Sequence, residues 1–339
     1  MKYDLRLTDR SSFQAIAATA DFAERHGIVT LWSADTIHDP FLALAAAARD
    51  TRRVKLGTGI AVAFGRSPVV TALMSWDLQR LSGGRFVLGL GTQIKAHVER
   101  RFGMHWHGAA TQMREYVACL RNIWSHWQRG ESPSYRGQIY RCDLSNPEFQ
   151  PVPLPEAQAR IPIWIGAVGL GMARLAGEIA DGVHVHAFHT PEYLRAQFLP
   201  ALAAGRGHSG GLGPLELSCP VFGGVAYDGE QRRILRDEFR KHIAFYASTA
   251  AYLPILEAAG CADLHEPMRA LSREKRWAEM AARIGDDVLD AFVVIDEPAA
   301  LGARLRERYS GILTQLSLYR GAERFIKPQD WPALIEALA

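Results

Sequence analysis

The sequence predicts a single α/β domain, a (β/α)8 barrel with insertions. Short runs rich in Val, Ile, Leu and Phe alternate with longer stretches of helical periodicity, and eight such pairs follow one another. Several short runs are apolar on both faces, which is typical of strands in a buried parallel sheet. A doubly wound open sheet has the same alternation, but eight consecutive units favour a closed barrel.

The predicted strands are short and end near glycines or polar residues. They cover residues 3–7, 29–32, 54–61, 86–91, 163–166, 182–186, 217–225 and 313–319. Several of the helices between them begin near Pro, Ser or Asp, residues favoured in the first turn or at the N-cap. These helices cover residues 12–25, 40–49, 68–81, 113–127, 172–179, 191–204, 230–246 and 298–309.

The chain length of 339 residues is compatible with two domains, at about 150 residues per domain. The eight units nevertheless assign residues 1–339 to one barrel. A barrel needs only about 250 residues, and we expect the surplus in insertions at about 93–112, 128–160 and 251–290. Long excursions of this kind usually carry functional loops or lids.

Charge and composition exclude several classes of protein. Lys and Arg number 39 and Asp and Glu 36, so the net charge is +3, too small and too dispersed for a nucleic-acid footprint. The uncharged stretches are short, with 13 residues at 161–173 and 15 at 242–256, fewer than the ~20 that span a bilayer. Charges at Asp4, Arg6 and Asp9 interrupt any signal-peptide core. We therefore expect a cytoplasmic protein without a nucleic-acid or membrane partner.

The four cysteines show no C-x-x-C spacing, which favours a reducing compartment and no structural zinc. They are Cys119, Cys142, Cys219 and Cys261.

Glycines close three of the predicted strands, at 57–59, 89–91 and 166–171. Such glycines can serve a tight turn, or they can allow the backbone to approach a flat ligand or a phosphate. None of the three runs is a dinucleotide-binding fingerprint, because Ile94 and Arg174 occupy the third glycine positions. The run 166–171 also opens a helix, whose free N–H groups would suit a phosphate as well as a simple cap.

Two histidines lie two residues apart on the sixth predicted strand, so both face the same side. His184 and His186 could hold zinc, but no complementary set of ligands follows on later strands. We therefore expect no metal site, a packed His184, and a His186 that lines the pocket.

Polar residues follow the second and fourth strands, where a barrel carries its active site. Asp35 and His38 come after the second strand, and Asp39, just before Pro40, would cap the next helix. Thr92 and Gln93 follow the fourth strand. Neither a G-x-S-x-G motif nor a cysteine beside a base is present, so a bound cofactor is expected to carry the chemistry.

Four segments of the chain resemble the bacterial-luciferase-like flavin and deazaflavin oxidoreductases. They are LWSADTIHDPF at 31–41, LGTGIAVAFGRSP at 56–68, LSGGRFVLGLGT at 81–92 and ADG at 180–182. Two further runs resemble the subgroup that depends on coenzyme F420, namely KAHVERRFG at 95–103 and IAFYASTAAY at 243–252. The order and spacing of the resemblance cover about residues 1–320.

The resemblance implies a luciferase-like TIM barrel, usually a homodimer, with F420 or FMN at the carboxyl ends of the strands. It places the coenzyme phosphate near the turn after the fifth strand and implies a cis peptide at Gly59–Ile60, behind the ring. It also implies a role in proton transfer for Asp35 or His38, which we take as the catalytic candidates. The expected cofactor-binding residues are Gly59, Ile60, Ala61, Thr92, Gln93, Ala167, Val168, Gly169 and His186.

Two positions depart from the family pattern. Ile94 stands where a sugar-phosphate dehydrogenase branch has Glu, so that branch's acid and substrate are not transferred. Thr92 stands where the luciferase branch has an Arg for the FMN phosphate, which weakens the case for FMN. Arg66, Lys95 or Arg174 could supply positive charge to an anionic coenzyme.

The sequence thus predicts an oxidoreductase that moves a hydride between F420 and a small organic substrate. One alternative is an FMN-dependent two-component monooxygenase, which would need a separate flavin reductase as partner. Another is a flavin-binding protein without catalysis.

Overall fold

The computed structural model describes all residues from 1 to 339, and eight parallel strands form its central sheet. They are β1 (Lys2–Tyr3 and Leu5–Arg6), β2 (Thr30–Ser33), β3 (Lys55–Thr58), β4 (Phe86–Gly91), β5 (Ile163–Ala167), β6 (Gly182–Val185), β7 (Glu216–Val221) and β8 (Gln315–Leu318). The two halves of β1 pair with different neighbours, Lys2 with Gln315 of β8 and Leu5 with Leu31 of β2. The first strand therefore joins the last strand to the second, and the predicted closed barrel is confirmed.

Helices surround the barrel and extend over one end of it. They are α1 (Phe13–Arg25), α2 (Pro40–Asp50), α3 (Pro68–Leu81), α4 (Lys95–Arg100), α5 (Ala109–Arg129), α6 (Leu170–Ile179), α7 (Leu199–Arg206), α8 (Gly229–Ala247), α9 (Leu253–Ala258), α10 (His265–Arg273), α11 (Trp277–Ala282), α12 (Asp286–Phe292), α13 (Pro298–Tyr309) and α14 (Trp331–Leu338). All eight predicted helices are present, and the bounds of seven differ by a few residues at most. The predicted helix 191–204 is a continuous run of a short α-helix (Pro191–Tyr193), a π-helix (Leu194–Phe198) and α7. None of the helices has both the length and the apolar character needed to cross a membrane.

Side-chain caps explain where several of these helices begin. The carboxylate of Asp39 accepts hydrogen bonds from the backbone N–H groups of Phe41 at 2.8 Å and Leu42 at 3.3 Å. Ser67 accepts in the same way from Val70, and both helices carry Pro in the first turn. Such caps satisfy N–H groups that the helix itself leaves free.

The three predicted insertions contain secondary structure of their own. Residues 93–112 include α4, and residues 128–160 include an antiparallel ladder of Tyr135–Arg136 with Arg141–Cys142. Residues 251–290 form α9 to α11 and most of α12. The ladder brings Cys142 to Cys119 of α5, with 2.8 Å between the two sulfur atoms, although both thiols are free.

Aromatic side chains fill the inside of the barrel. Trp32 and Trp164 pack with Val87 in a cluster separate from the main core, and the ring of His184 lies 4.4 Å from that of Trp32. Glycines make room for them: a Cβ on Gly89 would lie 1.9 Å from the carbonyl oxygen of Thr58 and 2.6 Å from Nε2 of His184. The barrel is therefore packed below its open end, as small eight-stranded barrels are.

Candidate active site

The predicted cofactor-binding residues lie on one continuous arc of the barrel mouth, the end formed by the carboxyl ends of the strands. They follow β3 (Gly59, Ile60 and Ala61), β4 (Thr92 and Gln93), β5 (Ala167, Val168 and Gly169) and β6 (His186). These four strands are neighbours in the sheet, and β2, which precedes Asp35 and His38, lies next to β3. The fold thus brings together residues that are up to 151 positions apart in the sequence, from Asp35 to His186.

Ile60 occupies the middle of this arc. The Gly59–Ile60 peptide bond is cis, as the family resemblance implies. The Ile60 side chain lies across the neighbouring strand ends: a Cβ on Gly91 would be 2.5 Å from its Cδ1, and one on Gly166 would be 3.3 Å from its Cγ2. Glycines at the ends of β4 and β5 therefore allow an apolar side chain to form this part of the mouth.

The first turn of α6 is open to solvent at the end of β5. Gly169 is its N-cap, and no side chain accepts a hydrogen bond from the first turn. A Cβ on Gly169 or Gly171 would meet no atom within 4 Å, and both glycines are exposed. Free N–H groups together with the positive end of the helix dipole suit an anion, so this turn fits a phosphate group.

Asp35 lies behind the same arc in an ion pair. Its carboxylate accepts from the Arg66 guanidinium at 2.5 Å and from the Val62 N–H at 3.1 Å, while its own N–H donates to the Ile60 carbonyl at 2.9 Å. Arg66 also bonds Asp39 at 2.8 Å. The Asp35 side chain is only 9% exposed. Its contacts with Val62 and Ile60 hold the turn that carries Ile60 in place.

His38 lies at the surface of the loop that follows β2. Its side chain is exposed and forms no hydrogen bond, whereas Arg10 holds the loop by donating to Ser33 at 3.1 Å and to Thr36 at 2.8 Å. The structure therefore places the two catalytic candidates differently, with Asp35 paired and His38 free.

Thr92 and Gln93 form the turn after β4. The Thr92 hydroxyl donates to the Gln93 carbonyl at 2.9 Å, and Gln93 has a positive φ of 59°. Among the cations suggested as coenzyme partners, Arg66 is held by Asp35 and Asp39, and Lys95 lies 3.8 Å from Glu99. Arg174 has no ion-pair partner and lies on α6, the helix with the open first turn.

His186 lies at the end of β6 among tyrosines. Its Nδ1 accepts from the Phe188 N–H at 3.1 Å, and its Nε2 lies 3.2 Å from the Tyr252 hydroxyl. Burial, followed by the effect of His189, lowers the pKa of His186 to about 4. The ring is therefore neutral near pH 7, and because Nδ1 accepts, its proton is carried by Nε2 and donated to Tyr252.

The tyrosines around His186 were not among the predicted site residues. The ring of Tyr246, on α8, lies 4.9 Å from that of His186, and its hydroxyl lies 2.6 Å from that of Tyr319 after β8. Burial raises the pKa of Tyr252, so its hydroxyl stays protonated and can donate a hydrogen bond at neutral pH. The signal was present, because Tyr246 and Tyr252 both belong to the F420-type run at 243–252.

Comparison with known proteins places the chain in a family. The model of the family described as luciferase-like monooxygenase matches residues 3–315, so the chain belongs to this family. An uncharacterized protein of Mycobacterium tuberculosis is 41% identical over 312 residues, 91% of each chain. A 5,10-methylenetetrahydromethanopterin reductase of Archaeoglobus fulgidus is 26% identical over 327 residues, 93% of this chain and 92% of the reductase.

A solved structure supports the same architecture. The coenzyme F420-dependent tetrahydromethanopterin reductase from Methanopyrus kandleri matches with a TM-score of 0.78 at 21% identity, covering 99% of this chain and 98% of that one. The fold of the luciferase-like family is therefore present over the whole chain, with F420-dependent enzymes among its structural neighbours.

Proposed function

We propose that the protein is an oxidoreductase that transfers a hydride between coenzyme F420 and a small organic substrate. The observation that carries this proposal is the open first turn of α6, which lies at the end of β5 beside the arc around Ile60. The structural neighbour from Methanopyrus kandleri, which is described as dependent on coenzyme F420, supports the choice of coenzyme.

When bound, F420 supplies the hydride chemistry, and the chain supplies binding, orientation and proton handling. The N–H groups of the first turn of α6 would hold the phosphate, with Ala167, Val168 and Gly169 forming the turn. Ile60 and its flanking residues would support the ring, and Thr92 and Gln93 would border it. The packed interior around Trp32 excludes water from below.

Proton transfer at the mouth has several candidates. Asp35 and His38 stay predictions, although the ion pair with Arg66 favours a positioning role for Asp35. The Tyr252 hydroxyl, which accepts from His186, keeps its own proton free to donate and is the better-placed donor. A Tyr252→Phe variant tests it through kcat, with coenzyme affinity as the measure of intact binding.

Titration with F420, followed by quenching of its fluorescence, tests the proposal directly. Gly169→Asp would cap α6 and stabilise the helix by roughly a few tenths of a kcal/mol, but its charge would repel a phosphate and weaken F420 binding at least about tenfold. Gly169→Ser is the matched control, because it supplies a neutral cap of similar size. We expect Gly169→Ser to bind more tightly than Gly169→Asp.

An FMN-dependent monooxygenase, supplied by a separate flavin reductase, is the competing function. FMN also carries a phosphate, so the same turn would fit it, but Thr92 stands in place of the expected Arg. Oxygen consumption with reduced FMN, together with absence of F420 binding at micromolar concentration, would overturn the F420 proposal. Binding without turnover of any substrate would support the non-catalytic alternative.

A further inference from the structure

A second region with unpaired cations lies at the end of β8, three strands from β5 in the sheet. A cavity of about 470 Å³ opens beside β8, and we call it the basic cleft. It is lined by the end of α8, by α11 and by the residue that follows Tyr319. The lining residues that matter here are Lys241, His242, Phe245, Tyr246, Trp277 and Arg320. Its size is within the range of sites that hold small organic molecules.

The charges in the basic cleft are positive and uncompensated. Lys241 and Arg320 are exposed and take part in no ion pair. The acidic residues nearest to Lys241 on α8 are already engaged, Asp237 with Arg233 and Arg240, and Glu238 with Arg324 at 2.6 Å.

His242 adds a neutral hydrogen-bonding group. Its pKa is lowered by burial and by the nearby Arg320 and Lys241, and Glu238 opposes this only in part. Its ring also lies 5.2 Å from that of Tyr319. A carboxylate entering the cleft would therefore meet two cations and an uncharged donor.

The rest of the lining is apolar and aromatic. Phe245 and Trp277 are 51% and 49% exposed, so two large rings face solvent at the same cavity. Exposed rings beside unpaired cations suit a ligand that has an apolar, flat body and an anionic group.

The basic cleft shares a wall with the mouth. Tyr246 lines the cleft and also contacts His186 at the end of β6. Arg320 directly follows Tyr319, whose hydroxyl bonds that of Tyr246. A molecule anchored at Arg320 therefore lies next to the proposed reaction site.

We propose that the basic cleft binds the carboxylate of an aromatic acid and that this acid is the substrate class of the enzyme. As an assignment of substrate, the inference rests on the proposed function. Lys241 and Arg320 hold the carboxylate, and Phe245 and Trp277 cover the ring. They determine specificity and take no part in the redox step.

Binding of 2-naphthoate, with 2-naphthalenemethanol as the neutral analogue, tests the proposal by calorimetry without coenzyme. We expect the wild-type protein to prefer the carboxylate about tenfold. The double variant Lys241→Gln/Arg320→Gln should lose this preference yet still bind the alcohol, and Trp277→Ala should weaken both ligands. Arg233→Gln, an exposed change on the same helix, is the control and should keep the preference.

Several results would overturn the assignment. One is that the wild-type protein does not bind 2-naphthoate at millimolar concentration. Another is that the double variant, with an unchanged melting temperature, still prefers the carboxylate over the alcohol as strongly as the wild type. The anionic tail of F420 is another group that Lys241 and Arg320 could bind. The affinity for F420 is therefore compared with that for the deazaflavin alcohol that lacks the tail. Selective loss of F420 affinity in the double variant would assign the cleft to the coenzyme tail instead. Failure of F420 to bind, with 2-naphthoate binding intact, would overturn only the proposed function.

Discussion

At the scale of single residues, the ion pair of Asp35 with Arg66 determines how the mouth is held. Both side chains are largely buried, and Asp35 connects Val62 and Ile60 to the loop after β2. The sequence alone indicates Asp35 as a candidate, because it is a polar residue at the end of a predicted strand. Its partner could not be predicted, because Arg66 lies 31 positions away and the pairing depends on the turn between them.

Asp35→Asn should destabilise the fold and leave the pH profile of activity in place. The variant removes one charge of a buried pair and leaves Arg66 with Asp39 alone, at an expected cost of roughly 2–4 kcal/mol. Urea unfolding measures this cost. A stable variant with an abolished rate would contradict the positioning role and restore Asp35 as a proton carrier.

Buried histidines should make stability depend on pH. Burial lowers the pKa of His184 to about 3, and the pKa values of His186 and His189 to about 4. The unfolded chain therefore binds more protons than the native state below about pH 6.5, so stability falls as the pH drops toward 4, by up to about 1.4 kcal/mol per pH unit for each ring.

His189→Asn tests this dependence, because its amide can keep the hydrogen bond to the His186 carbonyl. Urea unfolding at pH 5, 6 and 7 should give a flatter slope than wild type. Glu323 acts in the opposite direction. Burial raises its pKa to about 7, so its contribution to the stability of the fold is lost as the pH rises through that range. Exposed His38→Asn is the control, and an equal flattening there would refute the explanation.

At the scale of elements, the barrel strands and their helices were predictable because their patterns are strong. Strands such as β4 are buried on both faces, and helices such as α2 begin with a cap and Pro. The helices α9 to α12 were predicted only as one helical insertion. Each has six to nine residues, too few for a clear apolar periodicity, so the sequence does not show where one helix ends and the next begins. The approach of Tyr246 and Tyr252 to His186 was not predictable either, because it depends on how the end of α8 and the segment after it pack against the end of β6.

The ladder at 135–142 brings the thiol of Cys142 next to that of Cys119 on α5. Two thiols 2.8 Å apart can be joined by a mild oxidant such as diamide, which takes up the two electrons and two protons released. The Cys119–Cys142 bond would close a loop of the chain and stabilise the folded state by about 3 kcal/mol. Peptide mapping should find this bond alone, with Cys219 and Cys261 free, and a higher melting temperature that Cys142→Ser abolishes. Random pairing of the four cysteines would contradict it.

At the scale of the whole molecule, the predicted homodimer stays a prediction, and one surface is suited to it. α2 and α3 are neighbours and expose apolar side chains, among them Leu42 (74%), Val70 (48%) and Leu73 (37%). Grouped exposed apolar residues of this kind are typical of protein interfaces.

Light scattering after size-exclusion chromatography should give a dimer for the wild type and a monomer for Val70→Glu/Leu73→Glu. Leu144→Glu is the matched control, because Leu144 is 93% exposed on a different segment. A monomeric wild type, or a dimer unaffected by the double change, would place the interface elsewhere or remove it.

The packed interior of the barrel has a consequence for the order of events during turnover. Trp32, Trp164 and His184 leave no passage through the barrel, so every ligand enters and leaves by the mouth. If the ring of the coenzyme rests on Ile60 and the acid is held at the rim, the deeper molecule has to arrive first and depart last. Steady-state kinetics should therefore be ordered. The product form of the coenzyme should inhibit competitively against the substrate form of the coenzyme, and not competitively against the acid.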